Sequence, residues 1–389
     1  MDAKPAPADP GARTTDRMPS PTAHVEYDLH GIVGVRLVGA TPADVAAVDG
    51  QLGSIRAPLD REPDIVVRFV DRLELGSRVR YVGLDDAAFT DDAFLILRSR
   101  HKSPARTQIA FDSLGGRCEI VCERGSPGVP LLIPVLNLTA LAKGFVALHA
   151  AAFTYNGTGV LVTGWAKGGK TETLIGFTAK GAQFVGDEWI YIGPDSRLYG
   201  LPQPIRVWDW HLPDLPEYRA RLTRGDRARM RALLAFQSTG EQVRRARPSG
   251  GAGRLLSRLV PLVERQRYAS VRPETLFGPE SCALSGTLDK LVFVVSHESP
   301  DVFAEAVDPL EVADRMAFSQ QYERLNLLST YLEYRFAFPH ARNEWLERAH
   351  EVERGLLTEA VQGKPAYAVY HPFPAPIPEL FHAIEPVVG

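Results

Sequence analysis

The chain has 389 residues, 45% of them apolar and 23% charged, with a net charge of −3. That profile belongs to a globular protein long enough for two or three domains, and it excludes a disordered, collagen-like or coiled-coil chain. A balance so close to neutral makes no electrostatic case for nucleic acid or a lipid surface.

Three cysteines (Cys118, Cys122 and Cys282) are too few for a disulfide framework, so a reducing, cytoplasmic setting is expected. Cys118 and Cys122 can share one face of a strand, but two thiols make no zinc site, and a buried structural role is expected. Residues 129–153 are the most apolar stretch. Pro130, Pro134, Asn137 and Lys143 interrupt it, which argues against a membrane span.

In chain order, residues 1–22 are rich in Pro, Ala and charge and lack an apolar centre, so they read as a disordered tail and not as a signal peptide. Residues 25–39 read as a strand pair. Thr41-Pro42-Ala43-Asp44 then opens a helix, with threonine as cap and proline in the first turn. Residues 64–70 and 94–97 read as strands, and 108–111 with 117–122 as a hairpin across Ser113-Leu114-Gly115-Gly116. These elements define an N-terminal α+β module over residues 23–130, in which no catalytic cluster stands out.

Residues 131–145 look like a buried helix leading into a second unit, 131–389. Residues 147–155 and 159–163 read as two strands joined at Asn156-Gly157-Thr158, a strong hairpin signal. Residues 182–185 and 189–192 are further short strands on either side of Gly186-Asp187-Glu188. Residues 201–207 hold too much proline for a central strand. Between residues 219 and 267 there are thirteen Arg, no Lys and three acids. This marks a helical insertion at about 214–268, split by glycines at 248–253. It reads as a solvated segment, with a basic arm for an acidic peptide, phosphorylated partner or nucleic acid as the alternative. Residues 288–296 read as a strand covered on both faces. A helix over 309–336, a strand at 366–370 and a short helix near 379–384 complete the chain.

The chemistry gathers between these elements. The run Val160-Leu161-Val162-Thr163 leads into Gly164-Trp165-Ala166-Lys167-Gly168-Gly169-Lys170-Thr171, which fits G-x-x-x-x-G-K-[ST] without a mismatch. A helical segment from Glu172 to Lys180 follows and is stopped by Gly181. Glycines let backbone N–H groups close around phosphate oxygens, and the new helix adds its positive end. Lys170 then supplies a cation for the terminal phosphates and Thr171 a hydroxyl for Mg²⁺. The expected ligands are therefore ATP, with GTP left open, and Mg²⁺. Downstream, Asp187 and Glu188 form a tandem acid. One carboxylate would engage an acceptor hydroxyl and the other the metal, provided the strand ends there and the backbone turns. His149, on an apolar run upstream, reads either as a core histidine or as part of this site.

Leu148-His149-Ala150, the octet from Gly164 to Thr171 and Gly186-Asp187-Glu188 together resemble the HPr kinase/phosphorylase family, whose P-loop fold is similar to that of ATP-dependent phosphoenolpyruvate carboxykinase. The resemblance covers about residues 146–207. It implies an α/β P-loop core of that type, with Asp187 as base toward a serine hydroxyl, Thr171 and Glu188 serving Mg²⁺, and His149 beside the transferring phosphate. It carries Arg206 over more weakly, as a substrate-side residue. The family usually has Asp where this chain has Glu188. Its Gly-rich, acid-led signature is replaced here by Leu201-Pro202-Gln203-Pro204-Ile205-Arg206, so phosphorylase activity and HPr itself are not implied.

The expectation is an ATP-dependent kinase acting on serine in a peptide or protein, or on a small-molecule hydroxyl such as an amino acid or sugar. Self-assembly is compatible with it, and no membrane partner is expected. A nucleotide-dependent switch without acceptor chemistry is the rival from another class. A carboxykinase-like enzyme would need a further basic, metal-binding cluster that the sequence does not supply.

Overall fold

The structure, a computed structural model, describes residues 24–75, 78–83, 86–98, 104–246, 263–264 and 266–389. The tail expected at 1–22 and the glycine-rich split at 248–253 lie outside the described residues. The fold is mixed α/β, with four sheets among the described residues.

The first third of the chain builds one sheet from β1 (Val25–Leu29), β2 (Val33–Val38), β3 (Ile65–Val70), β4 (Arg80–Val82), β5 (Ala87–Phe89), β6 (Phe94–Arg98), β7 (Pro104–Ile109) and β8 (Cys118–Glu123). Helix α1 (Pro42–Leu52) lies between β2 and β3 in the chain. The strand order is β1-β2-β3-β8-β7-β6-β5-β4. The middle strands β2, β3 and β8 run parallel, and antiparallel pairings flank them on both sides. Alternation explains β3, where Ile65, Val67 and Phe69 turn inward while Arg68 faces solvent. The hairpin expected before residue 123 is present as β7 and β8, with Ile109 opposite Ile120. Cys118 and Cys122 are both buried on β8, as expected, and burial pushes both thiols up from their ordinary value.

The remainder runs α2 (Leu132–Ala142), β9 (Val146–Leu148), β10 (Ala151–Tyr155), β11 (Thr158–Thr163), α3 (Lys170–Ala179), β12 (Gln183–Gly186), β13 (Ile190–Ile192), β14 (Arg197–Gly200) and β15 (Ile205–Trp208). Then come α4 (Pro216–Arg221), α5 (Arg224–Ala246), β16 (Tyr268–Val271), α6 (Pro273–Phe277), β17 (Ser285–Thr287), β18 (Lys290–Ser296) and β19 (Phe303–Ala306). The chain closes with α7 (Pro309–Ala337), α8 (Glu344–Val361), β20 (Ala366–His371) and α9 (Ile377–Val388). A six-stranded sheet has the order β12-β10-β11-β18-β20-β19, with β11, β18 and β20 parallel at its centre. A four-stranded sheet, β17-β14-β13-β9, lies beside it, and β15 pairs with β16 as a two-stranded ribbon.

Asn156 and Gly157 take positive φ (50° and 83°) in the β10–β11 turn, as an Asn-Gly hairpin requires. One large apolar core joins the first sheet to α2, β9, β13, α7 and α8, and a second lies under α3, α9 and the six-stranded sheet.

Two expectations need correction. Residues 147–155 are not one strand. β9 pairs with β13 in the four-stranded sheet while β10 pairs with β11 in the six-stranded one, so the chain changes sheets at His149-Ala150. An unbroken apolar run carries no mark of such a switch. Helix α8 and strand β19 were not expected at all. β19 is a short edge strand, exposed at Phe303, Glu305 and Ala306, without the alternation that signals a half-buried strand.

Candidate functional site

The glycine-rich residues 164–169 link the C-terminal end of β11 to the first turn of α3. Gly169 has φ +98°, and a Cβ there would lie 2.6 Å from Nε2 of His371, at the end of β20. The imidazole of His371, fully buried, fills that space and has Nε2 2.8 Å from the Gly168 carbonyl oxygen. Gly164, at φ +150°, would bring a Cβ to 2.6 Å from the Val294 carbonyl oxygen. The loop therefore needs glycine at both ends, for conformation and for space. Between them Trp165 and Lys167 are exposed, Ala166 is half-buried, and Lys167 holds φ +66°.

Lys170 begins α3 and lies inward, only 6% exposed. Its ammonium donates to the carbonyl oxygens of Gly164 (3.1 Å) and Trp165 (3.0 Å), so it braces the loop from within. Burial depresses its pKa against the pull of Asp187, Glu188 and Glu323. Gly169, the helix cap, offers no side-chain hydrogen bond to the first turn. The first-turn acid Glu172 does not face the loop. Its carboxylate accepts from Nε2 of the fully buried His211 (3.1 Å), whose Nδ1 accepts the Trp208 N–H (3.3 Å). Burial raises the Glu172 pKa, and opposing interactions led by the His211 hydrogen bond outweigh it, leaving the group below its ordinary value.

The tandem acid lies at the end of β12. Asp187 is 5% exposed and accepts the Thr171 hydroxyl hydrogen bond (3.0 Å to Oδ2, 3.3 Å to Oδ1). Glu188 takes φ +71°, so the backbone turns between the two acids and their side chains take different partners. Glu188 Oε2 is 3.2 Å from His149 Nε2, and Glu323 Oε1 is 2.9 Å from His149 Nδ1. The Glu188 main-chain oxygen also accepts the Ala150 N–H (3.3 Å), tying the acid turn to the sheet switch.

Burial and the neighbouring Glu188 charge raise Asp187 to about 7. The His149 hydrogen bond, against burial, holds Glu188 low, with Arg206 and Lys170 adding to the pull. Burial works against charge on His149, but carboxylates at both ring nitrogens prevail and raise it, which favours an imidazolium.

Thr171 thus meets Asp187, and not Glu188 as the expected metal pairing had it; Glu188 is turned to His149. Among the described residues no group of three or more His, Cys, Asp or Glu side chains is arranged to hold a metal by itself. A hydroxyl and two carboxylates are still hard oxygen donors suited to Mg²⁺, which keeps several waters and takes few protein ligands. Arg206, on the exposed face of β15, has its guanidinium 5.5 Å from the Tyr268 ring.

Helix α7 supplies what the sequence reading missed. Gln320 accepts the His149 N–H (3.1 Å) and donates to the Ala147 carbonyl oxygen, Glu323 holds the ring, and Tyr322 packs against Trp165 with ring centroids 5.0 Å apart. A cavity of about 400 Å³ opens beside this cluster and shares Trp189, Gln320 and Glu323 with it. A polar residue on a long helix resembles any other solvated position, so neither these residues nor His371 carried a sequence signal.

No protein-family model matches this chain, and no match emerges among curated proteins. Among the described residues no helix is long and apolar enough to cross a membrane.

Proposed function

We propose that the chain is an ATP-dependent, Mg²⁺-requiring phosphotransferase with a P-loop core like that of the HPr kinase and carboxykinase proteins, transferring the γ-phosphoryl group to a hydroxyl. A serine side chain of a peptide or protein is the acceptor the resemblance favours, and a small hydroxylated molecule is the nearest variant. One observation carries the reading: the buried Asp187, raised to about 7, lies 3.0 Å from the hydroxyl of the first-turn Thr171, directly after the glycine-rich loop.

The backbone amides of residues 164–171 would hold the phosphates, with Lys170 and the His149 imidazolium supplying positive charge. Thr171 and the Glu188 carboxylate would hold Mg²⁺, which would neutralise phosphate charge when bound, and Asp187 would be left for the acceptor hydroxyl. Near neutral pH a substantial fraction of Asp187 is ionised. It accepts the proton of the acceptor hydroxyl as that oxygen bonds to the γ-phosphorus and the bond to the ADP oxygen breaks. Glu323 and Gln320 orient His149.

The test is incubation of the protein with γ-labelled ATP, Mg²⁺ and a host lysate, followed by identification of the labelled species. A labelled acceptor absent from an Asp187→Asn control supports the reading. Tight nucleotide binding with slow hydrolysis and no labelled acceptor would instead leave a nucleotide-dependent switch.

A further inference from the structure

Helix α7 presents one face to the site and core and the other to solvent, and the solvent face has the wrong composition. From Phe318 onward the exposed positions are 318, 322, 325, 329, 332 and 336. Their spacing of four, three, four, three and four residues puts all six on one line along the helix. Five are large and apolar (Phe318, Tyr322, Leu325, Leu332 and Phe336), with between 47% and 71% of each exposed. Ser329 is the sixth. Trp165, half-exposed on the glycine-rich loop, packs against Tyr322 and widens the strip at one end. Single exposed apolar residues need no explanation, but a continuous apolar line roughly 27 Å long does.

The line reads the same in both directions. Its spacing is unchanged on reversal, and its ends are both phenylalanine. We infer that this face is the contact between two copies of the chain, packed antiparallel about a two-fold axis that passes between Leu325 and Ser329. Phe318 then meets Phe336 of the second copy, Tyr322 meets Leu332, and Leu325 meets Ser329, whose small side chain lets the helices approach. Each pair occurs twice, as an isologous contact requires. Glu333 falls opposite Gln321 of the other copy, so this register sets no like charges against one another at the flank. A parallel pairing would instead put Arg315, Glu333 and Arg335 each beside its own equivalent. At ~200 Å² per large side chain, the exposed fractions correspond to about 500–600 Å² from each copy. The total exceeds ~1,000 Å², the smallest area expected of a specific interface.

The test is light scattering of the full-length protein at micromolar concentration. A mass twice the 42.8 kDa of the chain is expected. The Leu325→Glu/Leu332→Glu variant should run as a monomer with a native circular-dichroism spectrum, and Ser329→Arg should do the same by bulk at the two-fold. Should those variants fold poorly, a Phe318→Cys/Phe336→Cys chain supplies the answer in the assembled state. Oxidation should link position 318 of one copy to position 336 of the other. A monomeric wild type, folded seam variants that remain dimeric, or cross-links joining 318 to 318 would each overturn the inference.

Discussion

Both large sheets send a central strand through a short turn into a helix, and the two turns solve the same problem in opposite ways. At the end of β2, Thr41 and Asp44 close the first turn of α1 with a capping box. The Thr41 hydroxyl accepts the Asp44 N–H (3.3 Å), and the Asp44 carboxylate accepts the Thr41 N–H (2.9 Å) and that of Gly125 (3.0 Å). That helix brings its own anion to its positive end. At the end of β11, Gly169 caps α3 without a side chain, and Glu172 is turned aside to His211. There the donors and the helix dipole have no anion of the protein's own in the cap position, and the buried Asp187 and half-buried Glu188 follow at the end of β12. A closed cap serves stability; an uncapped one suits a visiting anion.

The largest effect should come from removing the chemistry of the uncapped turn while keeping its shape. Asp187→Asn preserves volume and can still pair with Thr171, but it cannot take a proton. Turnover should fall by about 10³-fold with nucleotide affinity within a few-fold of wild type, read from steady-state kinetics beside a fluorescent-nucleotide titration. Normal turnover in that variant would remove Asp187 from the mechanism.

Gly169→Ala asks whether the uncapped turn depends on the absence of a side chain. The methyl would meet His371 at 2.6 Å in a backbone conformation that alanine resists. A loss of ~2–3 kcal/mol in unfolding free energy is expected, with a weaker nucleotide Kd. Wild-type values for both would mean that the loop tolerates what the geometry forbids.

How much of this was readable beforehand differs between the two turns. The cap of α1 is local, four consecutive residues with the right chemistry, and it was read correctly. The octet at 164–171 is local too. What surrounds the octet is not. His371 arrives from 203 residues downstream of Gly168, Glu323 and Gln320 from the inner face of a helix whose outer face is apolar, and His149 stands where one apolar run divides between two sheets. The turn at Glu188 was the condition set on the tandem acid, and it is a local feature. Its consequence, Asp187 with Thr171 and Glu188 with His149, depends on side chains converging from four elements. No periodicity encodes that convergence.

The buried charges also give the site a pH signature that the α1 turn lacks. The Asp187 pKa is raised to about 7 in the folded chain. Between the ordinary carboxylate value near 4 and about 7, the native state therefore holds a proton that the unfolded chain has released. Stability from this group is full below that window and declines as pH rises through it. His149, also raised, acts in the same direction: its contribution is present below its ordinary value of 6.5 and fades as pH climbs through the higher folded one. Glu188, held low, loses its contribution only as pH falls below about 4.5. The melting temperature without nucleotide should accordingly fall from pH 5 to pH 8, and Asp187→Asn should flatten much of that slope. A flat wild-type profile would contradict the burial of Asp187.

The smallest effect tests the closed turn. Thr41→Ala removes the hydroxyl that accepts the Asp44 N–H and donates to the Asp44 carboxylate (2.6 Å). Asp44 would keep its bonds to the Thr41 and Gly125 N–H groups, so the box is half dismantled and the helix retains its anion. About 1 kcal/mol of stability should be lost, read as a shift in the denaturation midpoint with an unchanged slope. Nucleotide affinity and turnover should not move, because α1 belongs with the other sheet, between β2 and β3 in the chain, and its cap does structural work alone. If Thr41→Ala altered nucleotide binding, the contrast between a cap for stability and a turn for a ligand would fail, and the first sheet would have to be counted as part of the site.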